Sequence, residues 1–294
     1  MSAAPASLRA RAESEAARFP PLLARAERLA GSVILGEHGR RRAGLGDDFW
    51  QYRPLQEGDQ RRMIDWRRSA RSDAQFVRER EWQIAQSVML WVDSAASMRF
   101  ASAPDLPEKA DRAALLALAA SVLLLRGGER VGLTGAALPP RRGEAQILRL
   151  ARSLGDAAAE DYGAPETRGM LPHSRALFVS DFLGDPEPVR AALTKAADRG
   201  VQGVLYQVLD PAEEAFPYRG RAIFESIGGT LAHETLKAAD LRDRYLDRLA
   251  RRKAELAALC DATGWRYGCH HTSESAQSAL LWLFGAIEGG GRAR

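Results

Sequence analysis

The fold is decided by an apolar run that ends in an acid, SVMLWVDSAAS at residues 87–97. A short run of this kind, without charges, is typical of a strand buried on both faces of a parallel sheet. The pattern returns at Ala176–Ser180, which is followed at once by DFLGD. Asp93 and Asp181 therefore each come directly after a predicted buried strand.

Strands and helices alternate along residues 86–288, which we predict to form one α/β domain. Helices of this length between strands predict right-handed crossovers and a mostly parallel sheet with helices on both faces. The predicted strands are Ser87–Val92, Arg130–Leu138, Ala176–Ser180, Val201–Leu209 and Trp265–His270, with a hairpin at Arg221–Glu225 and Thr230–His233. The predicted helices are Leu106–Arg126, Glu144–Ser153, Glu187–Arg199, Ala239–Thr263 and Glu274–Ile287.

Three further segments flank this domain. Residues 1–35 are predicted to be helical, with a break at Pro20, because proline is unfavourable inside a helix. Residues 36–85 are rich in Gly and Arg, and they predict irregular structure with short strands, the last at Gln75–Arg80, packed on the main domain. Residues 289–294 predict a disordered tail.

The composition is that of an ordinary soluble protein. The chain has 294 residues, 46% of them hydrophobic, and 42 basic against 38 acidic side chains. The longest apolar run, Ala113–Leu125, is shorter than the roughly 20 residues of a membrane span, and we see no signal peptide. Two cysteines, Cys260 and Cys269, indicate a reducing compartment. These features predict a cytoplasmic protein without a membrane span.

Asp93 and Asp181 also define a candidate ligand site. In an open α/β sheet, ligands bind beyond the carboxyl ends of the strands. Two carboxylates and a nearby serine hydroxyl are the oxygen ligands that suit Mg²⁺ or Mn²⁺. The alternative is that such aspartates only cap helices or close turns, and the sequence leaves both interpretations open.

Two motifs give the chain a family resemblance. The spacing Asp93-x-Ala95-x-Ser97 resembles the Asp-x-Ser-x-Ser metal-adhesion motif of von Willebrand A domains. A second signature lies upstream, at Arg53, Gly58, Asp59, Arg62, Asp65, Trp66, Arg71, Arg78 and Glu81. Together they resemble the bacterial family called domain of unknown function 58. Its members are von Willebrand A-like proteins associated with MoxR-type AAA+ ATPases.

The chain departs from the metal motif at two points. Ala95 stands where the motif has its middle serine, and a threonine ligand has no clear counterpart, since Thr134 is predicted inside a strand and Thr167 lies in a long loop. The resemblance therefore implies a degenerate site at Asp93, Ser97 and Asp181. We expect low occupancy by Mg²⁺ or Mn²⁺ there.

The resemblance implies a binding protein rather than an enzyme. It predicts a non-catalytic interaction module, an adaptor or co-chaperone of a MoxR-type AAA+ ATPase that acts on other proteins as clients. The partner-binding residues would be Asp93, Ser94, Ser97, Asp181 and Asp185. The upstream signature would hold the fold through ion pairs and hydrogen bonds between arginines and acids.

Two other functions stay open as alternatives. A metal-dependent phosphoester hydrolase could use the same carboxylates, with Asp185 as the third. A nucleic-acid-binding protein could use the arginines of residues 36–82, but 11 arginines there face 9 acidic residues, and binding to phosphates depends on uncompensated cations. We therefore do not expect nucleic acid as a partner.

Cys269-His270-His271 is a weaker candidate for a metal site. Successive side chains on a strand point to opposite faces, so these three cannot readily share one ion. Cys260, on the preceding helix, lacks the spacing of a zinc motif. The sequence also contains no nucleophile elbow and no glycine-rich nucleotide loop.

Overall fold

A computed structural model describes most of the chain. The described residues are 20–36, 49–55, 64–70, 75–80, 86–136, 138–154, 158, 160–220, 222–225, 232–235 and 239–289. They fall into two compact units, a smaller one within His38–Ala85 and a larger one made of Met1–Glu37 and Gln86–Arg294.

The secondary-structure elements are numbered in chain order. They are α1 (Pro20–Gly36), β1 (Phe49–Pro54), α2 (Trp66–Ser69), β2 (Phe76–Arg80), β3 (Ser87–Val92), α3 (Lys109–Arg126), β4 (Arg130–Leu133), α4 (Glu144–Ser153), β5 (Arg175–Ser180), α5 (Pro186–Ala197), β6 (Gln202–Leu209), α6 (Pro211–Ala215), β7 (Ala222–Glu225), β8 (Ala232–Thr235), α7 (Ala239–Thr263), β9 (Arg266–His271) and α8 (Ala276–Glu288).

The larger unit is built on a five-stranded sheet in the order β4-β3-β5-β6-β9, with every neighbouring pair parallel. The chain leaves β3 towards β4 on one side and leaves β5 towards β6 on the other. The direction of winding therefore reverses between β3 and β5. In open α/β sheets, ligand sites lie at this reversal, beyond the carboxyl ends of the strands.

Side chains alternate along the strands and build one core on each face of the sheet. On one face Val88 and Leu90 pack with α1, α3 and α8. On the other face Met89 and Phe178 pack with α5, α7 and the Trp265 ring. The predicted α/β architecture, a parallel sheet with helices on both faces, is confirmed.

Several predicted elements match the structure and others differ. The strand at Ser87–Val92 and the helix at Ala239–Thr263 have the predicted bounds. The strand predicted at Arg130–Leu138 ends at Leu133, because the next residues form a turn in which Gly135 adopts φ +75°. The prediction that Thr134 lies inside a strand is therefore wrong.

The helix starts also differ from prediction. The helix predicted from Leu106 begins at Lys109, and the short helix α6 was not predicted. Pro20 is the first residue of α1, where its fixed φ and missing N–H are compatible with the first turn. Residues 1–19 lie outside the described residues, so the predicted break at Pro20 stays a prediction.

The smaller unit contains the antiparallel pair β1 and β2, with Arg53 opposite Val77. The short helix α2 is capped by Asp65, whose Oδ1 accepts the N–H of Arg68 at 3.0 Å. Trp66, the first residue of α2, is 59% exposed. Five signature residues lie outside the described residues, namely Gly58, Asp59, Arg62, Arg71 and Glu81. The packing of this segment on the main domain stays a prediction.

Two other expectations concern the ends of the chain and the membrane. Residues 1–19 and 290–294 lie outside the described residues, so the predicted tail does too, apart from Gly289. Among the helices that the structure describes, none is both long enough and apolar enough to cross a membrane.

A buried histidine lies between the sheet and α3. His270 is 2% exposed. Its Nε2 lies 3.0 Å from Nη1 of Arg112, and its Nδ1 lies 3.2 Å from the Glu274 carboxylate. Burial, reinforced by the Arg112 charge, lowers the pKa of His270 from 6.5 to about 4.

This pKa predicts a loss of stability in acid. Because the folded state disfavours the protonated ring, His270 contributes stability above pH 6.5 that is lost as the pH falls towards 4. At about 1.4 kcal/mol per unit, the free energy of unfolding should fall by up to about 3 kcal/mol. Urea titrations across this range should show a smaller fall in His270→Gln. An equal fall in wild type and variant would contradict the assignment, and the exposed His173, as His173→Asn, is the control.

Candidate functional site

Three buried aspartates follow neighbouring strands at the carboxyl edge of the sheet. Asp93 follows β3, Asp181 follows β5 and Asp210 follows β6. Their exposed fractions are 4%, 1% and 0%. Asp93 and Asp181 lie on either side of the point where the winding reverses, and the N–H of Asp93 donates to the Val179 carbonyl at 2.9 Å.

The Asp93 carboxylate is held by neutral donors. Its Oδ1 accepts the N–H of Ala95 at 2.9 Å, and its Oδ2 accepts the hydroxyl of Ser180 at 2.7 Å. The N–H of Gly163 donates to it as well. Burial raises the pKa of Asp93 above its usual value, and the nearby Asp181 charge adds to this. Asp93 therefore shapes the loops that follow β3 and β5.

The Asp181 carboxylate is paired with a buried lysine. Nζ of Lys109, at the start of α3, lies 2.8 Å from Asp181 Oδ2 and 2.5 Å from Glu213 Oε1. Lys109 is 1% exposed. Burial disfavours its ammonium, but the two carboxylates outweigh this effect, so the pKa of Lys109 is raised. The lysine is therefore charged at neutral pH and offsets one of the two carboxylate charges that it contacts.

Asp210 and Glu213 extend this network to α6. Asp210 caps the helix by accepting the N–H of Ala212 at 2.8 Å, and it also accepts the N–H of Ser102 at 2.9 Å. Glu213 closes a capping box by accepting the N–H of Asp210 at 2.8 Å. One Glu213 oxygen thus holds the helix start while the other binds Lys109.

The residues present do not fit a hydrated divalent ion. Mg²⁺ requires near-octahedral oxygen coordination and is bound through available carboxylates. Both oxygens of Asp93 accept hydrogen bonds, Asp181 is neutralised by Lys109, and Ala95 offers no side-chain oxygen. Two buried hydroxyls near this edge, Ser97 Oγ and Thr134 Oγ1, have no hydrogen-bond partner among the described residues. Neutral hydroxyls cannot supply the negative charge that a divalent ion requires.

A cleft of about 290 Å³ opens beside Asp93, between the ends of β3 and β4 and the helix α3. Ser94 and Thr134 line it, together with the exposed Arg99. Thr134 lies just beyond β4, and its buried Oγ1 has no hydrogen-bond partner within the described part of the chain. The cleft therefore combines a spare hydroxyl with the exposed carboxylates of Glu108 and Asp111, which also line it.

The sequence matches one family over most of its length. The family model described as "Protein of unknown function DUF58" matches residues 51–255, which is more than half of the chain. The chain belongs to this family. Uncharacterized proteins of Mycobacterium tuberculosis and Mycobacterium bovis are 29% identical over 244 residues, which cover 76% of this chain and 74% of theirs.

Solved structures give a distant likeness. A Bacteroides fragilis protein described as an aerotolerance-related membrane protein has a TM-score of 0.40 and 13% identity. The protein BatB of Bacteroides thetaiotaomicron, described as a conserved hypothetical protein, has a TM-score of 0.38 and 16% identity. Each covers 70% of this chain, and 100% of the solved chain is covered.

In this DUF58 family member, the predicted site residues separate into two groups. Asp93 and Asp181 share the edge, and Ser97 follows on a short 3-10 turn at Ala96–Met98. Asp185 is exposed and caps α5 instead, because its Oδ1 accepts the N–H of Glu187 at 3.0 Å.

Sequence reasoning missed three members of the network. Asp210 follows an apolar strand just as Asp93 does, so the same pattern could have found it. Lys109 gave a weaker signal, a lysine that opens an otherwise alanine- and leucine-rich helix. No sequence pattern indicates a role for Glu213, because its position depends on the short helix α6, which was not predicted.

Replacing Lys109 tests the internal ion pair. Lys109→Met leaves two buried carboxylates without a cation, which should cost about 3–5 kcal/mol of unfolding free energy at neutral pH. Those carboxylates should then take up protons on acidification, so the deficit against wild type should shrink between pH 8 and pH 5. The measurement is urea unfolding, with the exposed Lys195→Met as the control. A deficit below about 1 kcal/mol, the range of surface pairs, would contradict a buried pair.

Gly163 tests the packing around Asp93. A Cβ at this position would lie 2.2 Å from Asp93 Oδ1, so Gly163→Ala must displace the carboxylate or the loop. We expect a loss of about 1–3 kcal/mol, as for other overpacked sites. In Gly285→Ala the added Cβ meets nothing within 4 Å, and this helical substitution should stabilise by about 0.5–1 kcal/mol. Equal effects of the two substitutions in thermal unfolding would refute the predicted clash.

Proposed function

We propose that this protein is a non-catalytic interaction module whose carboxyl edge binds a partner protein without a divalent ion. One observation supports the proposal above the others: the Lys109 ammonium, buried between Asp181 and Glu213, already pairs with the carboxylates that a metal ion at this edge would need. In a metal-bridged contact, the partner binds a positive ion that is open to solvent. The Lys109 ammonium cannot take the place of such an ion, because the residue is 1% exposed.

The same contacts argue against hydrolysis at this edge. A two-metal hydrolase holds its ions with available carboxylates, but Asp93 and Asp181 are already engaged, and Asp185 caps α5. A serine nucleophile needs a base within hydrogen-bond reach. Ser97 Oγ has no hydrogen-bond partner among the described residues.

The surface above the buried network has the chemistry of a binding site. Tyr162 is 42% exposed and its ring rests on Gly184, in the loop after β5. Arg99 is exposed beside the cleft and donates to the Ala158 carbonyl at 3.5 Å. Tyr and Arg are enriched among residues that dominate binding energy in protein interfaces. In this proposal the buried aspartates hold the loops, and Tyr162 and Arg99 contact the partner.

The family resemblance supplies the kind of partner. It implies a MoxR-type AAA+ ATPase, with this chain as an adaptor or co-chaperone that brings the ATPase to client proteins. A rigid edge suits this role, because a surface that is already ordered loses less entropy on binding.

A direct binding measurement tests the partner. The purified chain is titrated with a purified MoxR-type ATPase of the same organism, with and without nucleotide. Arg99→Ala and Tyr162→Ala should each weaken binding by about tenfold or more. Arg126→Ala, an exposed arginine at the opposite edge of the sheet, should leave it unchanged. Absence of binding by folded wild type would reject the partner, and equal losses in all three variants would reject the surface.

Calorimetry of the chain alone tests independence from metal. Titration with Mg²⁺ and then Mn²⁺ should give no saturable heat, because Asp181 is already paired with Lys109 and both Asp93 oxygens accept hydrogen bonds. A dissociation constant below about 1 mM that is lost in Asp181→Asn would restore a metal-based edge.

A further inference from the structure

A second cluster lies on β9, away from the Lys109 network. Alternation along the strand places Cys269 and His271 on one face, whereas His270 contacts Arg112 on the other. Glu214 reaches the same face from α6. The sulfur of Cys269, a ring nitrogen of His271 and a carboxylate oxygen of Glu214 all lie within 4.8 Å of one another.

The three atoms are near enough to one another for small shifts to bring them around one metal ion. In a tetrahedral zinc site with bonds of about 2.0–2.3 Å, neighbouring ligand atoms are about 3.3–3.6 Å apart. Nε2 of His271 and Oε2 of Glu214 are already in direct contact. Small rotations of the half-buried side chains would therefore complete a three-residue shell, with water as the fourth ligand.

The imidazole of His271 is oriented in the way that metal ligands usually are. Its Nδ1 lies 3.3 Å from Oε1 of Glu274, and its backbone N–H donates to Oε2 of the same residue at 3.1 Å. A ligating histidine commonly donates its second ring N–H to a carboxylate, which fixes the ring and raises its basicity. Glu274 thus directs Nε2 towards Cys269 and Glu214.

The ammonium of Lys253 already binds this cluster, which shows that the cluster can accommodate a positive charge. Nζ of Lys253 lies 2.6 Å from Oε1 of Glu214 and also hydrogen-bonds the Cys269 sulfur. Its side chain is 23% exposed and approaches from α7, so it can withdraw towards solvent. Lys109, by contrast, is enclosed. Lys253 would therefore compete with a metal ion for Glu214 and Cys269, but it would not prevent the ion from binding.

We propose that Glu214, Cys269 and His271 form a binding site for Zn²⁺. Thiolate, imidazole and carboxylate are the three ligand types of zinc in proteins, and a set of three leaves the fourth position open. The two negative ligands match the charge of the ion. The site shares no ligand with the Lys109 network, so it does not rest on the proposed interaction function.

Cobalt spectroscopy tests the site. Co²⁺ is added to the full chain, and the thiolate-to-cobalt charge-transfer absorption is followed. The chain has two cysteines, Cys260 and Cys269, which makes the assignment direct. The band should appear in wild type and in Cys260→Ala, disappear in Cys269→Ser and be abolished by addition of Zn²⁺.

Two further variants distinguish a site formed by several residues from metal binding by the Cys269 thiol alone. Lys253→Met should tighten Co²⁺ binding by about tenfold, because a competing cation is removed. Glu274→Ala should weaken it by about tenfold, because the imidazole loses its orienting partner. Circular dichroism confirms that each variant is folded. The proposal is overturned if wild type shows no band up to about 1 mM Co²⁺, if the band survives in Cys269→Ser, or if Lys253→Met does not tighten binding.

Discussion

The buried contact of the Lys109 ammonium with Asp181 and Glu213 organises the carboxyl edge of this protein. It joins the start of α3 to the end of β5 and to α6, three elements far apart in sequence. Removing one member of such a pair leaves an uncompensated buried charge, which is costly in a medium of low polarity. The loops that follow the central strands are therefore fixed by electrostatics as well as by packing.

This contact also changes what the strand-end aspartates can do. In an open α/β sheet, the point where the winding reverses is the usual place for a ligand, and Asp93 and Asp181 lie there. One carboxylate is saturated by neutral donors and the other by an internal cation. Both carboxylates at this position are therefore already engaged by contacts within the protein.

The layered fold could be predicted because it depends on local patterns. The uncharged strand Ser87–Val92 and the long helix Ala239–Thr263 have the bounds that their sequence patterns predict. The site was predicted less completely. Asp93 and Asp181 follow strands, so the sheet alone brings them together. Lys109 meets Asp181 only through tertiary packing, across 72 positions of sequence, and no periodicity encodes that contact. Thr134 was misplaced because a glycine turn ended its strand early.

A crystal soaked in Mn²⁺ would test most directly whether an ammonium has replaced the metal. Anomalous scattering locates Mn²⁺ without reference to the protein atoms. We expect no anomalous peak between Asp93 and Asp181, with the Lys109 ammonium in hydrogen-bond contact with Asp181. A peak coordinated by Asp181 and Ser97, with the Lys109 side chain displaced, would contradict this interpretation.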